Sequence, residues 1–139
     1  MKKGTLFIFL LVCISTAVIA QQSKRAKVEK APAIQRGVAS YYADKFQGRR
    51  MANGNKYDHQ KLTAAANRYP LGVWVKVSNL SNKKSVIVQI TDRMHHKNKR
   101  LIDLSKSAAK KLGFVKKGLT RVSVEVVDPP DPPEADEEQ

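Results

Sequence analysis

Few residues of this chain are equipped to move a proton, and Asp92 is the first of them. It closes the run Ile90-Thr91-Asp92-Arg93, where an apolar strand leaves a sheet and presents its last side chain at the rim. A carboxyl group flanked by sheet wall is partly desolvated and holds its proton more tightly, which suits a general acid. Arg93 works the other way by favouring the charged form. An aspartate at such a turn also serves as a cap, or as the ion-pair partner of its neighbour. Asp58, in NGNKYD, is the second carboxylate. The Asn53-Gly54 dipeptide signals a tight turn, so this segment forms a loop over one end of the sheet. From there Asp58 either orients a substrate hydroxyl and couples to Asp92, or orders its own loop by accepting backbone N–H bonds. His95 and His96 follow Asp92 closely and offer an imidazole near the same rim, or form an exposed loop pair. Two histidines with no cysteine or close carboxylate are a poor ligand set, so neither a metal nor another cofactor is expected.

The elements that must position these groups are mostly strands. Val38, Ser40 and Tyr42 alternate with Ala39 and Tyr41, as in a short strand. Val73, Val75 and Val77 share one face of the next, opposite Trp74 and Lys76. Val86, Val88 and Ile90 repeat the pattern, and the polar run from Ser78 to Ser85 makes the two a hairpin. Val122, Val124 and Val126 supply a closing strand. One helix is predicted, with Ser105 as N-cap, Ala108, Ala109 and Leu112 as its apolar stripe and Gly113 after its end. Short alternating strands plus one helix fit a small closed barrel.

The 139 residues allow one small domain with tails. Lys2 and Lys3 precede an apolar core from Leu6 to Ala20 that is short for a spanning helix, and Val18 and Ala20 suit cleavage before Gln21. Residues 1–20 therefore read as a secretory signal, which places the mature chain in the periplasm or cell envelope with no transmembrane segment. Residues 21–35 read as a basic linker, 36–127 as the domain and 128–139 as an acidic, proline-rich tail. Cys13 is the only cysteine and falls in the signal, so stability must come from a closed β core rather than disulfides. Net charge is +14. The tail holds six of the twelve acids, and residues 31–127 carry twenty Lys and Arg against five acids, a surplus of fifteen. Behind a signal peptide such a surface meets anionic glycans, wall carboxylates or lipid headgroups, or it simply solubilises the chain. Clustered aromatics of the kind that stack bases are missing, which argues against a nucleic-acid partner. The chain is expected to be a monomer.

Four blocks, in order, add a family signal: GVASYYADKFQGRRMANGNKYD, LTAAANRYPLGVWVKV, VIVQITDR and RLIDLSKSAAKKLG. Together they resemble the RlpA-like proteins, double-psi β-barrels whose characterised members are lytic transglycosylases of peptidoglycan. The resemblance implies a mainly β fold, a six-stranded double-psi barrel related to the expansin and barwin folds. It further implies endolytic cleavage of the MurNAc–GlcNAc bond with a 1,6-anhydro product, glycan strands as the partner, and Asp92 and Asp58 as catalytic residues. Around the mouth, Asn55, Tyr57, Tyr42, Arg49, Arg50, Arg93 and His95 are candidates for strand binding, with Tyr41, Trp74 and Lys56 beside them, the aromatics against sugar rings or in the core, where mid-strand Trp74 fits better, and the cations against carboxylates or solvent. Two positions depart from the family pattern. Asn55 stands where the family has Glu after Asn-Gly, and Ala66 stands where TAAH ends in His. Neither replacement transfers a proton near neutral pH. A catalytically inactive, expansin-like module that binds peptidoglycan through the same groove is the alternative.

Overall fold

The computed structural model describes residues 33–132. The segment read as a secretory signal, most of the stretch read as a linker and the last seven residues lie outside the described residues. Six strands form: β1 (Gln35–Tyr41), β2 (Thr63–Ala65), β3 (Trp74–Asn79), β4 (Ser85–Asp92), β5 (Ile102–Leu104) and β6 (Thr120–Val127). A 3-10 turn spans Asp44–Phe46, and helix α1 spans Lys106–Leu112. None of the helices among the described residues is long and apolar enough to cross a membrane.

Alternation sets which side chains point inward. In β3, Val75 and Val77 are fully buried between half-exposed neighbours, and in β4 Val88 and Ile90 are fully buried on either side of half-exposed Gln89. In β6 the buried pair is Val122 and Val124. Each such side chain contributes on the order of 1.5–3 kcal/mol by leaving water, and all join one core. In β1 the inward parity goes to small residues. Ala39 is buried, whereas Val38 remains 36 % exposed. The reason lies at Gly37, where an added Cβ would stand 2.7 Å from Leu101 Cβ. At this point the chain after β4 crosses too closely for a larger side chain. β1 also begins one residue early, at Gln35, which composition assigned to the linker and which pairs with Val124.

The strands close into a barrel in the order β1-β5-β2-β4-β3-β6. Two neighbouring pairs are parallel, β1 with β5 and β2 with β4, and the rest are antiparallel. The predicted hairpin is β3–β4, tightened by Lys83 at φ 63°. β2 and β5 have three residues each, too few for periodicity to announce.

Helix α1 covers the barrel as its pattern requires. Ser105 Oγ accepts from the Ala108 N–H at 3.3 Å, and Gly113 ends the helix at φ 74°. Ala108, Ala109 and Leu112 are buried beneath it. Its last carbonyls need donors. The Leu112 carbonyl finds them in Asn79 Nδ2 at 2.9 Å and Asn82 Nδ2 at 2.8 Å. The turn after β3 therefore also locks the helix.

Candidate active site

Asp92 is the last residue of β4, and its carboxylate is held by three donors. The Tyr42 hydroxyl donates to Oδ2 at 2.6 Å, while the Ala52 and Arg93 backbone N–H groups both donate to Oδ1 at 2.8 Å. These donors come from the end of β1, from the loop after it and from the exit of β4, so three segments fix one carboxylate. The Arg93 guanidinium does not pair with it. Its Nη1 donates instead to the carbonyls of Ala66 and Tyr69, each at 2.6 Å. The expectation that Arg93 neutralises Asp92 through its side chain gives way to a structural clamp on the turn after β2.

The register brings a second carboxylate to the same place. Ala65 of β2 is the cross-strand partner of Asp92 on one side and of Asp103 on the other. Neighbouring strands lie about 4.8 Å apart, so the two aspartates flank a single small residue. A β-bulge between Ala64 and Ala65 brings Ala65 opposite Asp92. The Asp103 carboxylate takes a two-pronged bond from Arg100, Nε at 2.8 Å and Nη2 at 3.0 Å, and this contact raises the Arg100 pKa. Sequence reasoning missed Asp103. The available signal was the triplet Ile-Asp-Leu, in which Ile102 and Leu104 are buried and the charge must face the opposite way.

Both aspartates line a groove of about 610 Å³ at the barrel mouth. Of the expected binding residues, Tyr42, Arg49, Arg50, Tyr57, Arg93 and His95 also line it. Arg49 lies over the Phe46 ring at 5.3 Å, and Arg50 is tied to the Gly54 carbonyl. His95 Nδ1 accepts from the Lys97 N–H, and its ring lies 4.3 Å from that of His96. Asn55 and Asp58 are not among the lining residues. Asn55 is exposed, and its backbone closes the Asn-Gly turn. Asp58 Oδ1 accepts from the Gln60 N–H at 2.9 Å, which makes it an organiser of its own loop. Ala66 is fully buried in the core, and its neighbour Ala65 faces the groove. Trp74 lies outside the groove.

The tyrosines serve the wall. Tyr57 is only 2 % exposed, too deep for a stacking platform. Its ring packs on Tyr42 at 4.2 Å. Its hydroxyl accepts from the Lys106 N–H at 3.2 Å and bonds His59 Nδ1 at 2.8 Å. Burial raises the Tyr42 pKa, and the bond to the Asp92 carboxylate raises it further. Burial also raises Tyr57 and Tyr69. A group whose pKa is higher in the folded state contributes stability below its unfolded value, here 10.0, and that contribution fades as pH climbs further. Denaturant midpoints should therefore fall above about pH 10, with the tyrosinate absorbance of Tyr42, Tyr57 and Tyr69 rising only as the protein unfolds. Three tyrosines titrating normally in the folded protein would contradict this.

A closed barrel with two parallel pairs and a carboxylate-lined groove at its mouth defines the double-psi class. Within that class the chain belongs to the family described as "Lytic transglycolase", whose model matches residues 34–124. The endolytic peptidoglycan transglycosylase RlpA of Pseudomonas aeruginosa (strain UCBPP-PA14) is 50 % identical over 93 residues, covering 67 % of this chain and 27 % of the relative. The protein of the same name from Neisseria meningitidis serogroup A is 40 % identical over 111 residues, covering 80 % and 46 % respectively. The chain thus spans from about a quarter to about half of the length of these relatives. Among solved structures, the apo Clavibacter michiganensis expansin is similar with a TM-score of 0.56 and 25 % identity, over 73 % of this chain and 54 % of that one.

Proposed function

We propose that this protein is an exported, peptidoglycan-active endolytic transglycosylase whose proton-transfer residue is Asp92. The observation that carries the reading is the Asp92 carboxylate itself, oriented by three donors in an open groove large enough for sugar rings. The family and its curated relatives supply the substrate class. In the proposed reaction Asp92 protonates the glycosidic oxygen as the bond from the muramyl C1 breaks. It then takes the proton from that sugar's own 6-hydroxyl as O6 closes on C1. No water is consumed, so one carboxyl group suffices. Asp103, bonded to Arg100 and across Ala65 from Asp92, is the second carboxylate facing the developing oxocarbenium charge. Asp58 acts at a distance, by ordering the turn to Gln60 that follows the Tyr57 wall of the groove. The groove arginines and His95 receive the strand's polar groups, and the protein works as a monomer in the periplasm or envelope.

A second reading has its own observation. The two carboxylates that line the groove among the described residues are both engaged, Asp92 by three donors and Asp103 by Arg100, and Asn55 and Ala66 add no proton donor. Such a groove suits a non-cleaving, expansin-like wall binder. Digestion of purified sacculi, followed by mass analysis of the soluble products, separates the two. Release of 1,6-anhydro muropeptides supports the enzyme. Retention on sacculi without release supports the binder.

A further inference from the structure

We propose that the lysine face formed by the β3–β4 turn, the end of α1 and the turn before β6 docks on a bilayer rich in anionic phospholipid. It goes beyond the reading above and shares with it only the export that brings a membrane within reach. The three segments form one bonded unit. Asn82 Nδ2 in the β3–β4 turn donates to the Leu112 carbonyl at 2.8 Å, and the Leu80 N–H donates to the Arg121 carbonyl at 3.0 Å. The turn before β6 is closed by the Gly118 N–H on the Phe114 carbonyl at 2.9 Å. This unit carries Lys83, Lys84, Lys110, Lys111, Lys116 and Lys117, all exposed. None of the six forms an ion pair among the described residues. The chain has no Asp or Glu between Asp58 and Asp92, or between Asp103 and Glu125. None of the six lines the groove, so a partner here does not compete for its residues.

Helix chemistry accounts for only part of this charge. Lys110 and Lys111 in the last turn complement the helix dipole. A Cβ at Gly113 would stand 3.7 Å from Lys84 Nζ, which places that ammonium at the same helix end. Lys83, Lys116 and Lys117 have no such duty. Lys83 even sits at φ 63°, a conformation that glycine or asparagine reaches at lower cost. Six like charges in one unit repel one another, and an anionic surface laid against them relieves that repulsion. Two features favour lipid over a soluble polyanion. The cations of the face are lysines, compact hydrated charges that meet headgroups in any orientation, whereas those of the groove are mostly arginines, whose forks suit fixed acceptors. Leu119 follows Lys116-Lys117-Gly118 and is 49 % exposed. An apolar side chain gains by entering a bilayer and gains nothing from a sugar or phosphate chain. The tail acids Asp128 and Asp131 follow the far end of β6, roughly 25 Å of strand from Thr120.

The test is co-sedimentation of the purified exported protein with phosphatidylcholine vesicles made with and without phosphatidylglycerol. Partition should require phosphatidylglycerol and fall as salt is raised. A lysine at a charged bilayer contributes about fivefold in affinity. The variant Lys83→Gln/Lys84→Gln/Lys116→Gln/Lys117→Gln should therefore lose on the order of 10²-fold. A control of the same net charge, Arg36→Gln/Lys56→Gln/Lys97→Gln/Lys99→Gln, changes exposed residues outside the face and should lose less than about threefold. Leu119→Ser, a single change at an exposed position, should weaken partition about fivefold and leave retention on heparin resin unchanged. Equal losses in the two quadruple variants would assign binding to overall charge and overturn the face. Retention on heparin without partition onto vesicles would give the face to a soluble polyanion and overturn the bilayer. The assay holds no wall polymer, so either failure leaves the transglycosylase reading standing, and a protein that cuts no wall can still pass it.

Discussion

Asp92→Asn is expected to reduce anhydro-product release by about 10²–10⁴-fold, the range for loss of a general acid–base group, while sacculus retention stays close to that of the unmodified protein. The geometry explains why the change is clean. Asp92 Oδ1 accepts from the Ala52 and Arg93 N–H groups, and the amide oxygen can keep both bonds. The amide nitrogen then faces the Tyr42 hydroxyl, which turns from donor to acceptor. The fold keeps its contacts and only the mobile proton is lost, an effect on the transition state and not on ground-state binding. Release at the unmodified rate would remove Asp92 from the mechanism and make Asp103 the group to replace next.

Tyr57→Ala is expected to cost about 3–5 kcal/mol of stability, as for other large buried aromatics, read as a lower denaturant midpoint. The ring is buried against Tyr42, and its hydroxyl joins the start of α1 to the His59 loop. Removing it leaves a void behind the residue that orients Asp92, so activity should fall at temperatures where the protein remains folded. Tyr57→Phe keeps the ring and should cost only about 1 kcal/mol. If the alanine variant unfolded at the unmodified midpoint, Tyr57 would be a surface aromatic in solution, and the stacking role drawn from its sequence position would return.

The strands that periodicity revealed were those long enough to show it. Val75 with Val77, Val86 with Val88 and Ile90, and Val122 with Val124 each repeat an inward face. Ser105 and Gly113 marked the helix because cap chemistry is local. β2 and β5 stayed hidden, since three residues cannot establish an alternation, and Asp103 stayed hidden with β5. Its role depends on Ala65 lying between it and Asp92, a relation between strands that no local pattern encodes. Asp58 left two roles open for the opposite reason. Its motif is plain, but a loop does not fix side-chain direction as a strand does, and its carboxylate turned to the Gln60 N–H. Family resemblance located the mouth of the barrel. Which side chains enter it was decided by packing, as with Tyr57, drawn inward by burial.

The strand order has a bearing on how the chain comes to be folded at all. β1 lies between β5 and β6, and β3 lies between β4 and β6. A nascent chain that ends before Thr120 therefore leaves both β1 and β3 with an unpaired edge, and the ring cannot shut. Every route to the native state waits for the last strand, and the loops that must close first are long. Under the proposed export this delay is an advantage, because a barrel that waits for β6 cannot close before the whole chain has crossed.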